Sequence, residues 1–256
     1  MRATVLGSSC AIPRPGRACS SYLLEGDGQR VILDFGTGAF ASARAHLRAE
    51  EIDAIVISHM HADHFLDLIP LRYALKYGPR TNGKRMVLLL PPGGETVLRA
   101  ISNALSREPG GDFFNEVFEL RNYDAESTLS LGRAILRFTA TQHYIPTFAC
   151  RYELGSASVV YSADTGPTAS IAALARDAGL FLCEATLRDH GADPPGERGH
   201  LTAREAAEIA RDAGVHRLAI THYPHESTPD VLAAAVREVY EGEIAIVDDH
   251  AAYSVG

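Results

Sequence analysis

Between residues 59 and 64 the chain reads His59-Met60-His61-Ala62-Asp63-His64, directly after the apolar run Ala54-Ile55-Val56-Ile57-Ser58. Four side chains able to ligate a metal therefore fall within six residues, where a buried strand runs out into a loop. No ordinary core tolerates them, because each polar group buried without a partner costs roughly 2–7 kcal/mol. Along an extended chain alternate residues share a side, so His59 and His61 point one way. Asp63 and His64, at the turn into the next helix, reach another. That divergence suits two adjacent metals better than one. Imidazole and carboxylate without thiolate select zinc, manganese or iron rather than a Cys-rich structural zinc site.

Further ligands must come from elsewhere in the chain, and three candidates follow apolar runs: His143 after Arg137 to Thr141, Asp164 after Val159 to Ala163, and His222 after Leu218 to Thr221. Such runs recur at Thr4–Leu6, Ser20–Leu24, Arg30–Leu33, Ala54–Ile57, Met86–Leu90, Ala134–Thr139, Ala149–Leu154, Ser158–Tyr161, Leu180–Cys183, Leu218–Ile220 and Ile244–Val247. They read as strands, several of them buried on both faces. Helices are expected at Ala39–Arg48, Leu66–Tyr77, Glu95–Leu105, Thr168–Asp177, Ala203–Ala213 and Pro229–Tyr240. The best signed begins at Thr202-Ala203-Arg204-Glu205, a capping box closed by Gly214. Thr228-Pro229 similarly places a cap before a Pro at the first helical position. The pattern is α/β, and with no linker or repeat in sight one domain over residues 1–256 is expected.

Several function classes drop out. A formal net charge of -8 argues against broad, charge-driven binding of nucleic acid. No apolar window approaches a membrane span, and the N-terminus has no long apolar signal core, so a cytoplasmic protein without membrane contact is expected. Cys10, Cys19, Cys150 and Cys183 form no C-x-x-C pair and read as free thiols. The acid-free series Arg72, Lys76, Arg80, Lys84 and Arg85 reads first as a solvated face and second as a phosphate-facing patch. Arg14 and Arg17 read in the same order, as surface residues and then as phosphate contacts.

The His59–His64 motif, His143, the Tyr161-Ser162-Ala163-Asp164-Thr165-Gly166-Pro167 segment and Thr221-His222-Tyr223 resemble the ordered ligand motifs of the metallo-β-lactamase superfamily. Cys183-Glu184-Ala185-Thr186 and Gly199-His200-Leu201-Thr202 are similar to two further motifs of its tRNase Z and phosphodiesterase members. The resemblance runs from about Thr4 to Ala252. It implies a four-layer αββα sandwich of two mixed sheets flanked by helices, with two divalent ions, zinc first and manganese or iron next. It further implies that His59, His61 and His143 hold one ion, that Asp63, His64 and His222 hold the other, and that Asp164 bridges them.

The chemistry implied is hydrolysis of a phosphodiester by a hydroxide bridging the two ions. Asp63 orients the hydroxide, His200 stabilises or protonates the leaving oxygen, and Glu184 orients His200. Members of the tRNase Z group usually carry a long RNA-gripping arm between the third His motif and the bridging Asp. Here only Tyr144 to Ala163 separates His143 from Asp164. A small diester or nucleotide, with a cyclic nucleotide as first candidate, is thus expected ahead of RNA. A tRNA 3′-end endoribonuclease is the alternative, a thioester or lactone hydrolase a further one, and a non-enzymatic metal-dependent sensor a distant last. Homodimerisation is common among such relatives. Of the remaining histidines His46, His190, His216, His225 and His250 carry no assigned chemistry, though His225 is near enough to His222 in sequence to line the pocket.

Overall fold

A computed structural model of the chain describes residues 1–79, 85–106, 113–189, 194 and 196–256. Strands β1 (Arg2–Gly7), β2 (Ser21–Gly26), β3 (Gln29–Leu33), β4 (Ala54–Val56), β5 (Met86–Leu90), β6 (Phe118–Asn122) and β14 (Ala252–Ser254) form one sheet, in the order β14-β1-β2-β3-β4-β5-β6. The second sheet contains β7 (Thr128–Leu131), β8 (Ala134–Ala140), β9 (Phe148–Leu154), β10 (Ala157–Tyr161), β11 (Leu180–Glu184), β12 (Arg217–Thr221) and β13 (Glu243–Ile246), in the order β13-β12-β11-β10-β9-β8-β7. Each sheet is antiparallel on one side and parallel on the other, the change falling at β3 and at β10.

The sequence dictates this layering. β10 and β11 are buried along their whole length and, Ser158 and Glu184 apart, apolar, as strands covered on both faces tend to be, whereas β8 alternates buried and exposed residues. Tyr22, Leu24 and Val31 from the first sheet pack with Leu136, Tyr152, Val159 and Leu182 from the second in a core between the sheets. Helices α1 (Ala39–Ala43), α2 (Ala62–Phe65), α3 (Leu68–Tyr77) and α4 (Gly94–Leu105) accompany the first sheet, whose outer side packs Ile32, Ile55 and Leu88 with Leu68, Leu71 and Leu98. Helices α5 (Ala169–Leu174), α6 (Ala203–Asp212) and α7 (Pro229–Arg237) cover the second through Ile171, Ala206, Ala210, Leu232 and Val236. The result is the αββα sandwich. Among the described residues no helix is long and apolar enough to cross a membrane.

The capping box of α6 forms as expected: Thr202 Oγ1 accepts from Glu205 N–H at 3.2 Å, and Glu205 Oε2 accepts from Thr202 N–H at 2.9 Å. Thr228 caps α7 in front of Pro229. Three strands escape the apolar-run reading: β6, β7 and β14. All three are edge strands, with half-exposed or exposed residues that leave little periodic apolar signal. The expected helix Ala39–Arg48 stops at Ala43, and Arg48 instead opens a 3₁₀ turn over Ala49–Glu51. α5 is shorter than the expected Thr168–Asp177, and Thr168 makes no side-chain cap. All four cysteines are free.

Candidate metal centre

The sheets converge their strand ends on one place. The His59–His64 loop leaves β4, Asp164 follows β10, Glu184 ends β11, His222 follows β12 and His143 lies beyond β8. The carboxyl ends of parallel strands leave such a crevice because successive connections turn away to opposite sides. Two four-residue groups able to hold a metal gather in it, His59, His61, His143 and Asp164 in one, and Asp63, His64, Asp164 and His222 in the other, and Glu184, His200 and His222 form a smaller third.

Their spacing fits ions. In the first group His61 Nδ1 lies 3.1 Å from both His59 Nε2 and His143 Nε2, and Asp164 Oδ2 lies 3.7 and 3.8 Å from the same two nitrogens. In the second, Asp63 Oδ2 is 3.3 Å from His64 Nε2 and from His222 Nε2, while Asp164 Oδ1 is 3.5 Å from each. A tetrahedral ion with bonds of about 2.0–2.1 Å holds its donors about 3.3–3.4 Å apart. Two atoms at the centre, His64 Nε2 and Asp164 Oδ1, are buried with no hydrogen-bond partner. Orphaned lone pairs at these positions are what a cation would satisfy. One carboxylate, that of Asp164, turns an oxygen to each group.

The imidazoles are set from behind. His64 Nδ1 donates to Asp34 Oδ2 at 2.7 Å, His143 Nδ1 to the Gly199 carbonyl at 2.8 Å, and His222 Nδ1 to Thr186 Oγ1 at 2.8 Å. Each such bond occupies Nδ1 and leaves Nε2 as the nitrogen that faces the crevice. Asp34, fully buried, also accepts from Ser58 N–H and Ser58 Oγ, both at 2.7 Å, and from the Tyr161 hydroxyl at 2.9 Å. Ser58 Oγ in turn lies 3.0 Å from His59 Nδ1. Sequence reasoning passes over Asp34, although the signal used for Asp164, an acid closing an apolar strand, is present in Leu33-Asp34. Asp34, Ala163 and His222 all take positive φ, at 56°, 51° and 50°. A left-handed residue at a strand end turns the chain sharply, which here aims the acid and the ligands into the crevice.

The charges differ between the groups. Burial, with the imidazoles around it, holds His59 well below its ordinary pKa. Burial opposes the charge on His64 too, but Asp164 and Asp34 override it and raise this imidazole well above the ordinary value. Asp164 and Asp63 are held low despite burial by the histidines they face, so both are carboxylates.

His200 and Glu184 meet at the edge of the centre. His200 Nδ1 donates to Glu184 Oε1 at 2.8 Å and lies 4.0 Å from Asp164 Oδ2. Burial disfavours its charge, yet Glu184 and then Asp164 raise it to about 9. Glu184 is completely buried and also accepts from the Thr165 and Thr186 amides, so its position is set by the chain itself. The loop carrying His200 is tied to α6 by a bidentate pair, Arg198 to Glu205 at 2.6 and 3.1 Å.

Other candidates fall away from the centre or into structural roles. Arg17 pairs with Asp248 and donates to the Tyr223 hydroxyl, while Arg14 lies over the Tyr223 ring at 5.4 Å. Arg72 is buried rather than solvated: it donates to the Phe113 carbonyl and shares the Glu116 carboxylate with Lys76. Arg80 and Lys84, like His190, lie outside the described residues. His225 is 62% exposed and pairs with Glu226, and His46 bonds His250 on the surface.

Residues 29–223 match the Beta-lactamase superfamily domain, and the chain belongs to that superfamily, as a metallo-hydrolase. It is 30% identical to the probable metallo-hydrolase YhfI of Bacillus subtilis, covering 96% of both chains, and 29% identical to ribonuclease Z of Haloferax volcanii, covering 97% of this chain and 93% of that one. The YhfI crystal structure superposes with a TM-score of 0.85 at 24% identity over 99% of each chain. The short form of human tRNase Z superposes at 0.79, with 22% identity over the whole of both chains.

Proposed function

We propose that the chain is a dinuclear metal-dependent phosphodiesterase acting on small diesters, with a cyclic nucleotide as the first candidate substrate. The observation that carries this reading is the Glu184–His200 pair at 2.8 Å beside the two ligand groups. Neither residue is needed as a ligand, and together they provide a fixed cation where a phosphoryl oxygen would develop charge. Thioester hydrolysis, the competing chemistry of the superfamily, has no need of such a pair.

His59, His61 and His143 would hold one divalent ion, Asp63, His64 and His222 the other, and Asp164 both, with zinc first and manganese or iron next. When bound, two such ions lower the pKa of water and offset the charge of an in-line phosphoryl displacement. The chain does the rest. Asp63, kept ionised by His222 and His64, accepts a hydrogen bond from the attacking water and so aims it. His200, kept cationic by Glu184, hands its proton to the departing oxygen. Its Nδ1 is committed to Glu184, which leaves Nε2 for that task.

Substrate size follows from what lies between His143 and Asp164. β9 and β10 pair directly through a turn at Gly155-Ser156, with no inserted arm. The net charge of -8 works against gripping an RNA backbone, and Glu116, paired with both Arg72 and Lys76, offsets part of the positive charge there. Endonucleolytic processing of a tRNA 3′ end is the second reading, favoured by the likeness to the Haloferax ribonuclease Z. One panel separates the readings: zinc- or manganese-loaded protein on bis(p-nitrophenyl) phosphate, cyclic AMP, precursor tRNA and a thioester. Turnover of the two small diesters is expected. Cleavage of precursor tRNA with cyclic AMP untouched reverses the order, and turnover of the thioester alone removes both.

A further inference from the structure

Tyr144 follows His143 directly, and it is 67% exposed. An exposed tyrosine ordinarily keeps its rotamer freedom, since ordering it costs entropy that burial does not return. This one is held. Its ring lies against the imidazoles of His143 and His200, with centroids 4.9 and 6.1 Å away. Its hydroxyl accepts from the Gly199 amide at 3.3 Å. Glycine beneath the ring is what lets it lie this close, because a Cβ at position 199 would stand 2.6 Å from Tyr144 Cε2 and 2.8 Å from Cζ and the ring would have to shift. The tether leaves most of the aromatic surface bare, beside one ligand histidine and the acid His200.

We propose that Tyr144 is a stacking platform that selects substrates carrying a nucleobase or similar planar heterocycle on the ester arm of the phosphate. This deepens the phosphodiesterase reading and rests on it. A phosphate placed between the ligand groups and His200 has Tyr144 next to it, so a ring joined to that phosphate through a sugar reaches the bare face. Stacking is the chemistry a pre-set aromatic ring offers, and it tolerates any base because every base has a π-face. Holding the ring before substrate arrives removes an ordering cost from binding.

The test compares the zinc-loaded wild-type chain with Tyr144→Ala and Tyr144→Phe by calorimetric titration of adenosine 5′-monophosphate and of ribose 5-phosphate, which lacks the base. Wild type should prefer the nucleotide by about tenfold, within the range of one base–aromatic stack. Tyr144→Ala should abolish that preference, and Tyr144→Phe, which keeps the ring but not its tether to Gly199, should retain it in reduced form. Absence of the preference in wild type, its survival in Tyr144→Ala, or its complete loss in Tyr144→Phe overturns the assignment. Because binding is read without turnover, the two readings fail separately. A protein that discriminates through Tyr144 but hydrolyses no diester keeps the platform and loses the phosphodiesterase, and one that hydrolyses diesters without discriminating does the reverse.

Discussion

The two ligand groups share Asp164 but are supported differently. Behind the Asp63–His64–His222 group stands a buried carboxylate, Asp34, in direct contact with His64. Behind the His59–His61–His143 group stand neutral partners, the Ser58 hydroxyl and the Gly199 carbonyl, and Asp34 reaches His59 only through Ser58. His64 and His222 are closed off from solvent, whereas His61 is half-buried. An anionic support makes an imidazole a stronger donor than a neutral one does, and a closed site exchanges its ion more slowly. The second group should therefore keep its ion longer, and the first should be the one that empties and refills.

The most severe way to break this contrast is to remove what the groups share. Asp164→Ala should take the reconstituted stoichiometry from two ions to none and reduce diester hydrolysis to background, measured by elemental analysis and by turnover. Retention of one ion would show that the carboxylate serves a single group. Next in size, His200→Ala should lower kcat by about 10²–10³-fold with both ions still bound, since it removes a proton donor and no ligand. Loss of metal in that variant would place His200 inside a ligand group. Asp34→Asn should weaken ion binding at the second group by about 10–100-fold, and at the first by less, in competition titrations with a chromophoric chelator. Equal weakening of both would erase the contrast. Ser58→Ala is the mirror experiment: it should weaken the first group, by about tenfold or less, and leave His64 on its carboxylate.

The smallest effect concerns the loop that supports His143. Gly199 is anchored through Arg198 to Glu205, whose carboxyl burial would raise but which the hydrogen bonds from Arg198 and Thr202 hold below its ordinary value of 4.5. A carboxyl lowered on folding adds stability above its unfolded pKa and loses it as pH falls through the folded one. Glu205→Gln should cost about 1.5–3 kcal/mol at pH 7 in urea denaturation. The gap from wild type should begin to close as the pH drops below about 4.5, where the unfolded chain takes up the proton, and should vanish once the pH has fallen through the lower folded value. A gap that stays constant into acid would show that the carboxylate charge contributes nothing to holding the loop.

Much of this was legible in the chain itself. Eleven strands announced themselves as apolar runs, and every one of them has a strand in the structure. Those that did not are edge strands, where solvent on one side removes the pattern that reading depends on. The residues proposed as ligands stood out because four of them crowd into one loop, and the others stand just past strands. Asp34 and Thr186 did not, because each acts on an imidazole far away in sequence, 30 and 36 positions off. Tyr144 was hidden for a different reason: nothing in a sequence tells whether an aromatic residue beside a ligand is buried or bare.

The left-handed backbone at Asp34, Ala163 and His222 has a consequence for how such a protein can be improved. Conformations of this kind cost about 1–3 kcal/mol each in non-glycine residues, so the crevice draws on stability supplied by the rest of the sandwich. Laboratory selection for heat resistance would therefore find glycine attractive at all three positions. Only at 163, where the side chain is a methyl group, could that substitution be accepted without removing an acid or an imidazole from the crevice. At the other two a thermostabilised variant would give up the Asp34 carboxylate or the His222 imidazole, and with it a part of the proposed metal centre.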